Sequence, residues 1–317
     1  MIDSNKYKYR FSVFTATMNR ASMLWRLYQD LKKQTYKDFE WVIVNDGSSD
    51  NTDDVVKKII AERTIDVQYV NKENGGKHTA WKIAIPIFKG RYILTADDDD
   101  PVTKDMLEIF NYHWTILERS QQYNDFWEIR TRCKRVDGTL VGQELPSSIF
   151  DSDYNIMSYK LKVFCEMVGC RKVEVLRNEA CVPDKFKFME AASNFDEAIR
   201  WSRAARIYKT RFVSDVTRIY NETPNSLSAN VFARCLRGEK KIVANKMVEF
   251  YYTLLEKSDL LLKYDKKRYV KTLLGYAFLI GLNGNRKDAI DGLSYMQKTM
   301  LTCLIPVLKI LIWIKRK

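Results

Sequence analysis

Four consecutive aspartates, Asp97, Asp98, Asp99 and Asp100, follow the apolar stretch Tyr92-Ile93-Leu94-Thr95-Ala96 and precede Pro101. The stretch reads as a buried strand, and the proline stops it. Carboxylates crowded at the end of a core strand repel one another and lose hydration unless a cation sits among them. A hard divalent ion with oxygen ligands meets that need. The plainer alternative is a solvated acidic turn.

Two further segments carry residue types suited to binding. Asn45-Asp46-Gly47-Ser48-Ser49-Asp50 sets an acceptor carboxylate and a tight turn before a helix start. Asp46 there suits a hydrogen bond from a base or ribose, although Asp-Gly-Ser-Ser is also an ordinary turn with a helix cap. Asn74-Gly75-Gly76-Lys77-His78 joins a strand to a helix. Its paired glycines permit close backbone approach, and free helix N–H groups with Lys77 suit a phosphate. Neither a P-loop nor a GxGxxG fingerprint is present.

The elements that must position these residues alternate. Strands are expected at 11–16, 39–45, 67–70 and 92–95, and helices at 21–33, 51–61 and 79–88. This order predicts an α/β fold with a mainly parallel sheet and helices on both faces. Ligands of such sheets bind outside the carboxyl ends of the strands, where all the polar segments lie. The middle of the chain offers strand-like pieces at 127–132, 173–176 and 211–213 and a helix at 196–208. After Pro224 helices are expected at 228–237, 240–256, 264–282 and from 287 onward. A boundary near 221 separates a domain of residues 1–220 from a helical domain of residues 221–317.

Together the segments 14–20, 34–48, 73–80 and 90–100 resemble a family-2 glycosyltransferase of the GT-A fold, of the type that builds bacterial surface polysaccharides. The likeness is strong over 8–110, a donor-binding half, and looser over an acceptor half at 111–220. It implies a nucleotide-sugar donor (a UDP-sugar), a divalent metal (Mn2+ or Mg2+) and inversion at the anomeric carbon. Carried over residue by residue, Thr15 lines the nucleoside pocket with Asn19 and Arg20 nearby. Asp46 contacts the base, and Gly75, Gly76 and Lys77 serve the donor region. Asp97 and Asp99 match the DxD pattern: Asp99 ligates the metal, and Asp97 reaches ribose or the metal. Asp98 or Asp100 can take either role, because four in a row leave the register open.

The family also needs a carboxylate base. Phe195-Asp196-Glu197-Ala198 resembles that segment, with Glu197 as base, Asp196 beside it and Glu190 in reserve. A base must take the acceptor hydroxyl's proton as the sugar carbon gains positive character; the same pair also simply favours a helix N-terminus. Gly169-Cys170-Arg171-Lys172 stands where relatives carry Gly-Asp-Lys or Gly-Asp-Arg, and a neutral thiol cannot replace that carboxylate.

The 317 residues carry a formal net charge of +13. Sixteen Lys or Arg against seven Asp or Glu fall between Glu239 and Lys317. With no zinc-finger or RNP motif, nucleic acid is not expected as a partner. Residues 300–314 are apolar except for Thr302, Pro306 and Lys309, too short a run to span a bilayer. The stretch suits a helix lying on an anionic membrane surface, or one packed on the helical domain. The polar start lacks a secretory signal, so a cytoplasmic enzyme peripheral to the inner face of the membrane is expected, with a saccharide or lipid-linked saccharide as acceptor. A catalytically inactive sugar-nucleotide or membrane-binding scaffold is the alternative.

Overall fold

The computed structural model describes residues 6–178, 196–220, 234, 235, 237, 239–283 and 287–316. Side chains are described throughout these ranges except at 196–198, 241, 283, 287, 288 and 309–316. Two compact units are present, Met1–Val182 with Arg200–Glu222, and Pro183–Ile199 with Thr223–Lys317.

The first unit is built on eight strands: β1 (Tyr9–Thr17), β2 (Phe39–Asp46), β3 (Asp66–Lys72), β4 (Gly90–Thr95), β5 (Phe126–Lys134), β6 (Ile149–Ser152), β7 (Met167–Lys172) and β8 (Lys209–Ile219). They form one sheet in the order β3-β2-β1-β4-β7-β5-β8-β6. The first four strands are mutually parallel, and β7 runs antiparallel to both β4 and β5. Consequently β5 points the same way as β4, and β8 is parallel to β5. The carboxyl ends of β1, β2, β3, β4, β5 and β8 therefore share one edge.

Strand order reverses between β1 and β4, the position where α/β sheets open a crevice. Helices α1 (Ala21–Lys32), α2 (Thr52–Ala61) and α4 (Met106–Glu118) contribute to one core with Phe11, Val13, Trp41 and Ile43. Helix α3 (Lys77–Ile87), the single turn α5 (Val173–Leu176) and α6 (Asp196–Ile207) contribute to the other with Phe14, Val42 and Val44. Alternate residues of β1 and β2 thus enter opposite cores, so both strands read as continuous apolar runs. Burying each large side chain contributes roughly 1.5–3 kcal/mol, enough to hold the strand ends in register.

One element departs from expectation. Residues 173–176 form a helical turn, and the strand is the preceding Met167–Lys172. A four-residue apolar run does not distinguish the two, and β7 is bounded by its register with β4 and β5 instead.

The second unit contains α7 (Lys240–Tyr264), α8 (Lys266–Asn283), α9 (Lys287–Ile290) and α10 (Tyr295–Arg316). Gly292 breaks the helix expected from 287 onward, adopting φ +82° beside the Tyr251 hydroxyl. Ser294 and Gln297 then form a capping box: the Ser294 N–H donates to Gln297 Oε1 at 2.9 Å and the Gln297 N–H to Ser294 Oγ at 3.4 Å. The Gln297 amide also donates to Leu254 O and Ser258 Oγ, tying α10 to α7. Leu301 and Ile305 are buried on the same stripe, whereas Met296, Met300 and Val307 are exposed. The helix expected at 228–237 lies largely outside the described residues.

Candidate active site

The aspartate run alternates. Asp98 and Asp100 turn inward, with side chains 3% and 9% exposed, whereas Asp97 and Asp99 are 33% and 34% exposed. Past the end of β4 the chain turns, the Asp100 N–H donating to Asp97 O at 3.3 Å, and the turn divides the four carboxylates into an inner and an outer pair. Three cations serve the four. Lys77 donates to Asp97 at 2.8 Å, and Arg20 donates to Asp98 at 2.9 Å and Asp99 at 2.7 Å. Arg218 stands 3.3 Å from Asp100. Thr17 adds a 2.7 Å hydrogen bond to Asp98, and the Arg26 guanidinium donates to the Asp98 carbonyl.

These surroundings separate two neighbouring carboxyls. Burial pushes Asp97 up, but Lys77 beside it, with Arg218 and Arg20 farther off, outweighs burial and holds Asp97 below the usual carboxylate range. At Asp98 burial prevails over the Thr17 hydrogen bond and Arg20, and its affinity for a proton rises. The outer carboxylate Asp97 is thus the more firmly ionised of the two.

Asp46 organises the glycine loop. It is buried and accepts from the Gly75 N–H at 2.9 Å, the Gly76 N–H at 2.7 Å and Lys72 Nζ. Gly76 adopts φ +90°, a conformation other residues take with strain. Gly47 lets the two loops meet, since a Cβ there would lie 2.7 Å from Asn74 N. Asn19, at φ +55°, accepts from Ser49 N at 2.7 Å while its own N–H donates to Ser48 Oγ. Asp50 bonds Ala21 N at the start of α1 and Thr52 at the start of α2. The three loops after β1, β2 and β3 are therefore one hydrogen-bonded rim that carries Arg20 and Lys77.

Thr15 is placed differently from the expectation that it lines the nucleoside pocket. It is fully buried; its hydroxyl donates to Ala96 O at 2.7 Å and accepts from Trp41 Nε1 at 3.0 Å. It binds strand to strand, and Thr17, on the same face two residues later, is the one that touches the aspartates. Thr17, Lys72 and Arg218 were missed by sequence reasoning. Thr17 had a signal in its spacing from Thr15, whereas Arg218 lies 118 residues beyond Asp100 with none.

Asp196 and Glu197 begin α6, but their side chains, like all of Glu190, lie outside the described residues. Farther along that helix Trp201 packs on Trp81 and under the Arg171 guanidinium, 4.2 Å from the ring centre. Arg171 in turn stands 2.8 Å from the fully buried Glu128. Cys170 points away from this polar group into the core and accepts from Trp114 Nε1 at 3.3 Å, with burial pushing its thiol up to about 12.

A family model for glycosyl transferase family 2 matches residues 12–115. The Escherichia coli UDP-Glc:alpha-D-GlcNAc-diphosphoundecaprenol beta-1,3-glucosyltransferase WfaP is 35% identical over 229 residues, 71% of this chain and 82% of that protein. The chain belongs to glycosyl transferase family 2. The chondroitin and hyaluronan synthases of Pasteurella multocida are 35% identical over 98 residues, and the chain spans only 10% of each of those longer relatives. Among solved structures, S. aureus TarS 1-349 superposes with a TM-score of 0.57 at 15% identity, covering 96% of this chain and 90% of TarS 1-349. The Pyrobaculum calidifontis mannosyltransferase PcManGT gives 0.52 at 15% identity, covering 98% of this chain and 87% of that one. This family-2 chain thus has the GT-A fold, a mixed sheet with helices on both faces followed by C-terminal helices.

Proposed function

We propose that the protein transfers a sugar from a nucleotide-sugar donor, a UDP-sugar, to an acceptor hydroxyl with inversion of the anomeric carbon, in assembly of a surface polysaccharide or glycolipid. The observation that carries this reading is the outward pair Asp97 and Asp99, flanked by Lys77 and Arg20, beside the sheet's switch point. Support comes from WfaP, named for a UDP-Glc donor and a GlcNAc-diphosphoundecaprenol acceptor, and from TarS, solved with UDP-GlcNAc. PcManGT was solved with GDP-Man and Mn2+.

The donor set fits a divalent ion. Asp97 and Asp99 offer oxygen atoms only, both partly open, and Asp97 keeps its charge at neutral pH. Among the described residues no three His, Cys, Asp or Glu side chains gather into a metal cage. An ion held by one or two carboxylates and completed by substrate phosphates needs none. Such an ion, Mn2+ or Mg2+, would neutralise charge growing on the leaving diphosphate.

The chain's own residues supply the rest. Lys77 and Arg20 face the leaving group with positive charge, and Asp46 holds the Gly75–Gly76 backbone ready for it. Asp46 also stands beside the base, with Asn19 fixing the neighbouring loop. Glu197, with Asp196 beside it, takes the proton from the acceptor hydroxyl. The acceptor oxygen bonds to the anomeric carbon as the carbon–phosphate oxygen bond breaks, and the electron pair leaves with the nucleoside diphosphate. Transfer is followed as UDP released from a panel of UDP-sugars with and without manganese. Glu197→Gln is expected to bind donor and lose transfer; normal transfer would remove Glu197 as base. No donor consumed by well-folded protein would favour the inactive scaffold.

The site of action in this reading is the inner face of the cell membrane, reached from the cytoplasm. The excess of basic residues after Glu239 and the exposed Met296, Met300 and Val307 on α10 support it. Among the described residues no helix is long and apolar enough to cross a membrane. The buried stripe Gln297, Leu301 and Ile305 packs within the helical unit, so only the opposite side of α10 is offered to lipid. Flotation with anionic liposomes should fall on replacing Met296, Met300 and Val307 by Glu; unchanged flotation would refute this role.

A further inference from the structure

Among the described residues Arg132 is a buried cation without a counter-ion. It lies on β5, is 2% exposed, and among the described residues pairs with no carboxylate. Among the described residues it makes one hydrogen bond, from Nη2 to the Val141 carbonyl at 3.2 Å, and its Nε is buried with no partner there. Its neighbours contrast with it. Arg130 is held by Glu128 at 2.9 Å, and Arg218 by Glu166 and Asp100. A buried guanidinium left unpaired costs several kcal/mol, a cost that an anion would offset.

Its position in the sheet says where that anion would lie. Leu94 of β4 pairs with Cys170 of β7, which pairs with Ile129 of β5. Asp97 is three residues beyond Leu94 and Arg132 three beyond Ile129, and the two strands run the same way. Arg132 therefore lies toward the same sheet edge as Asp97, on a strand two spacings, about 10 Å, from β4. It belongs to the half of the sheet beyond the donor aspartates, under the hairpin in which Val141 N bonds Cys133 O.

We propose that Arg132 forms an anion subsite for a phosphate or diphosphate carried by the acceptor. A planar guanidinium with an unused Nε–H and a weakly engaged Nη presents the fork that phosphate oxygens accept bidentately. The assignment to the acceptor rests on the glycosyl transfer proposed above, whereas the anion site itself does not.

The test uses the full chain, wild type against Arg132→Met and Arg132→Lys, at constant ionic strength. In metal-free buffer, inorganic pyrophosphate is expected to raise the melting temperature of wild type and not of Arg132→Met. Without anion, Arg132→Met should melt no lower than wild type, because an apolar chain replaces an unpaired buried charge. Transfer to one sugar presented on a diphosphate lipid and on an uncharged alkyl chain forms the second arm. Wild type should show a KM at least about tenfold lower for the diphosphate form, Arg132→Met should lose that preference with kcat on the uncharged acceptor kept, and Arg132→Lys should recover part of it. Equal pyrophosphate shifts in wild type and Arg132→Met, or an intact preference in the variant, would overturn the proposal. An Arg132-dependent shift in a protein that transfers to neither acceptor would uphold the anion site and overturn its assignment to an acceptor.

Discussion

Arg20 Nη1 donates to two successive carboxylates, at 2.9 Å to the buried Asp98 and at 2.7 Å to the open Asp99. One guanidinium nitrogen thus serves a carboxylate that builds the fold and one that faces the cleft. A divalent ion arriving at Asp99 competes with that bond. A hydrogen bond to a charged group contributes about 1.5–3 kcal/mol, so Arg20→Gln should bind Mn2+ without nucleotide roughly tenfold more tightly than wild type. The same variant should bind UDP more weakly once manganese is present, for want of its charge beside the diphosphate. Manganese affinity read by electron paramagnetic resonance checks the first and calorimetric titration of UDP the second, and an unchanged manganese affinity would separate Arg20 from the metal.

The inner and outer aspartates should respond differently to substitution. Asp99→Asn is expected to keep the melting temperature and lose turnover by orders of magnitude. Asp98→Ala removes the acceptor of Thr17 and Arg20 from a buried position and should cost about 2–3 kcal/mol in urea unfolding. The reverse pattern would mean that the inward carboxylates carry the chemistry.

Asp46 gathers the Gly75 and Gly76 N–H groups and Lys72. Asp46→Ala takes the acceptor from the Gly75 and Gly76 N–H groups and frees the loop before α3. Faster amide hydrogen exchange at residues 73–78 and a donor KM raised at least about tenfold are expected. Normal exchange there would show that other bonds hold the loop.

Lys172 supplies a pH dependence away from the cleft. Burial drives its ammonium down to about 8, although its Nζ donates to Tyr123 O at 2.8 Å and lies over the Tyr123 ring. Between about pH 8 and 10.5 the unfolded chain holds a proton there that the folded chain has lost, so this residue makes stability rise with pH across that window. The full difference is about 3 kcal/mol. Lys172→Met should be more stable than wild type at pH 7 and show a flatter profile from pH 8 to 10.5. Parallel profiles from chemical denaturation would contradict it.

How far the sequence carried depends on whether a feature is local. The strands ending at Thr17, Asp46, Lys72 and Thr95 are each announced by an apolar run and a polar turn, so the parallel four-strand half of the sheet could be read directly. Which aspartates face the cleft could not, because four identical residues hide their period and only burial against Thr17, Arg20 and Arg218 reveals it. Thr15 and Thr17 share a face of β1, and their difference lies in Trp41, a residue of the next strand. Cys170 reads in sequence as a lost active-site carboxylate because nothing there shows the core position it shares with Trp114. Arg132 carries no sequence signal, since a buried arginine is defined by the partners it lacks.

The account rests on Asp99 holding a metal that joins it to a donor diphosphate. Isothermal titration of UDP into wild type and Asp99→Asn, with and without manganese, tests that link directly. The account predicts binding to wild type that strengthens at least about tenfold with manganese and a variant for which manganese makes no difference. Equal enhancement in both proteins, or none in wild type, would contradict it.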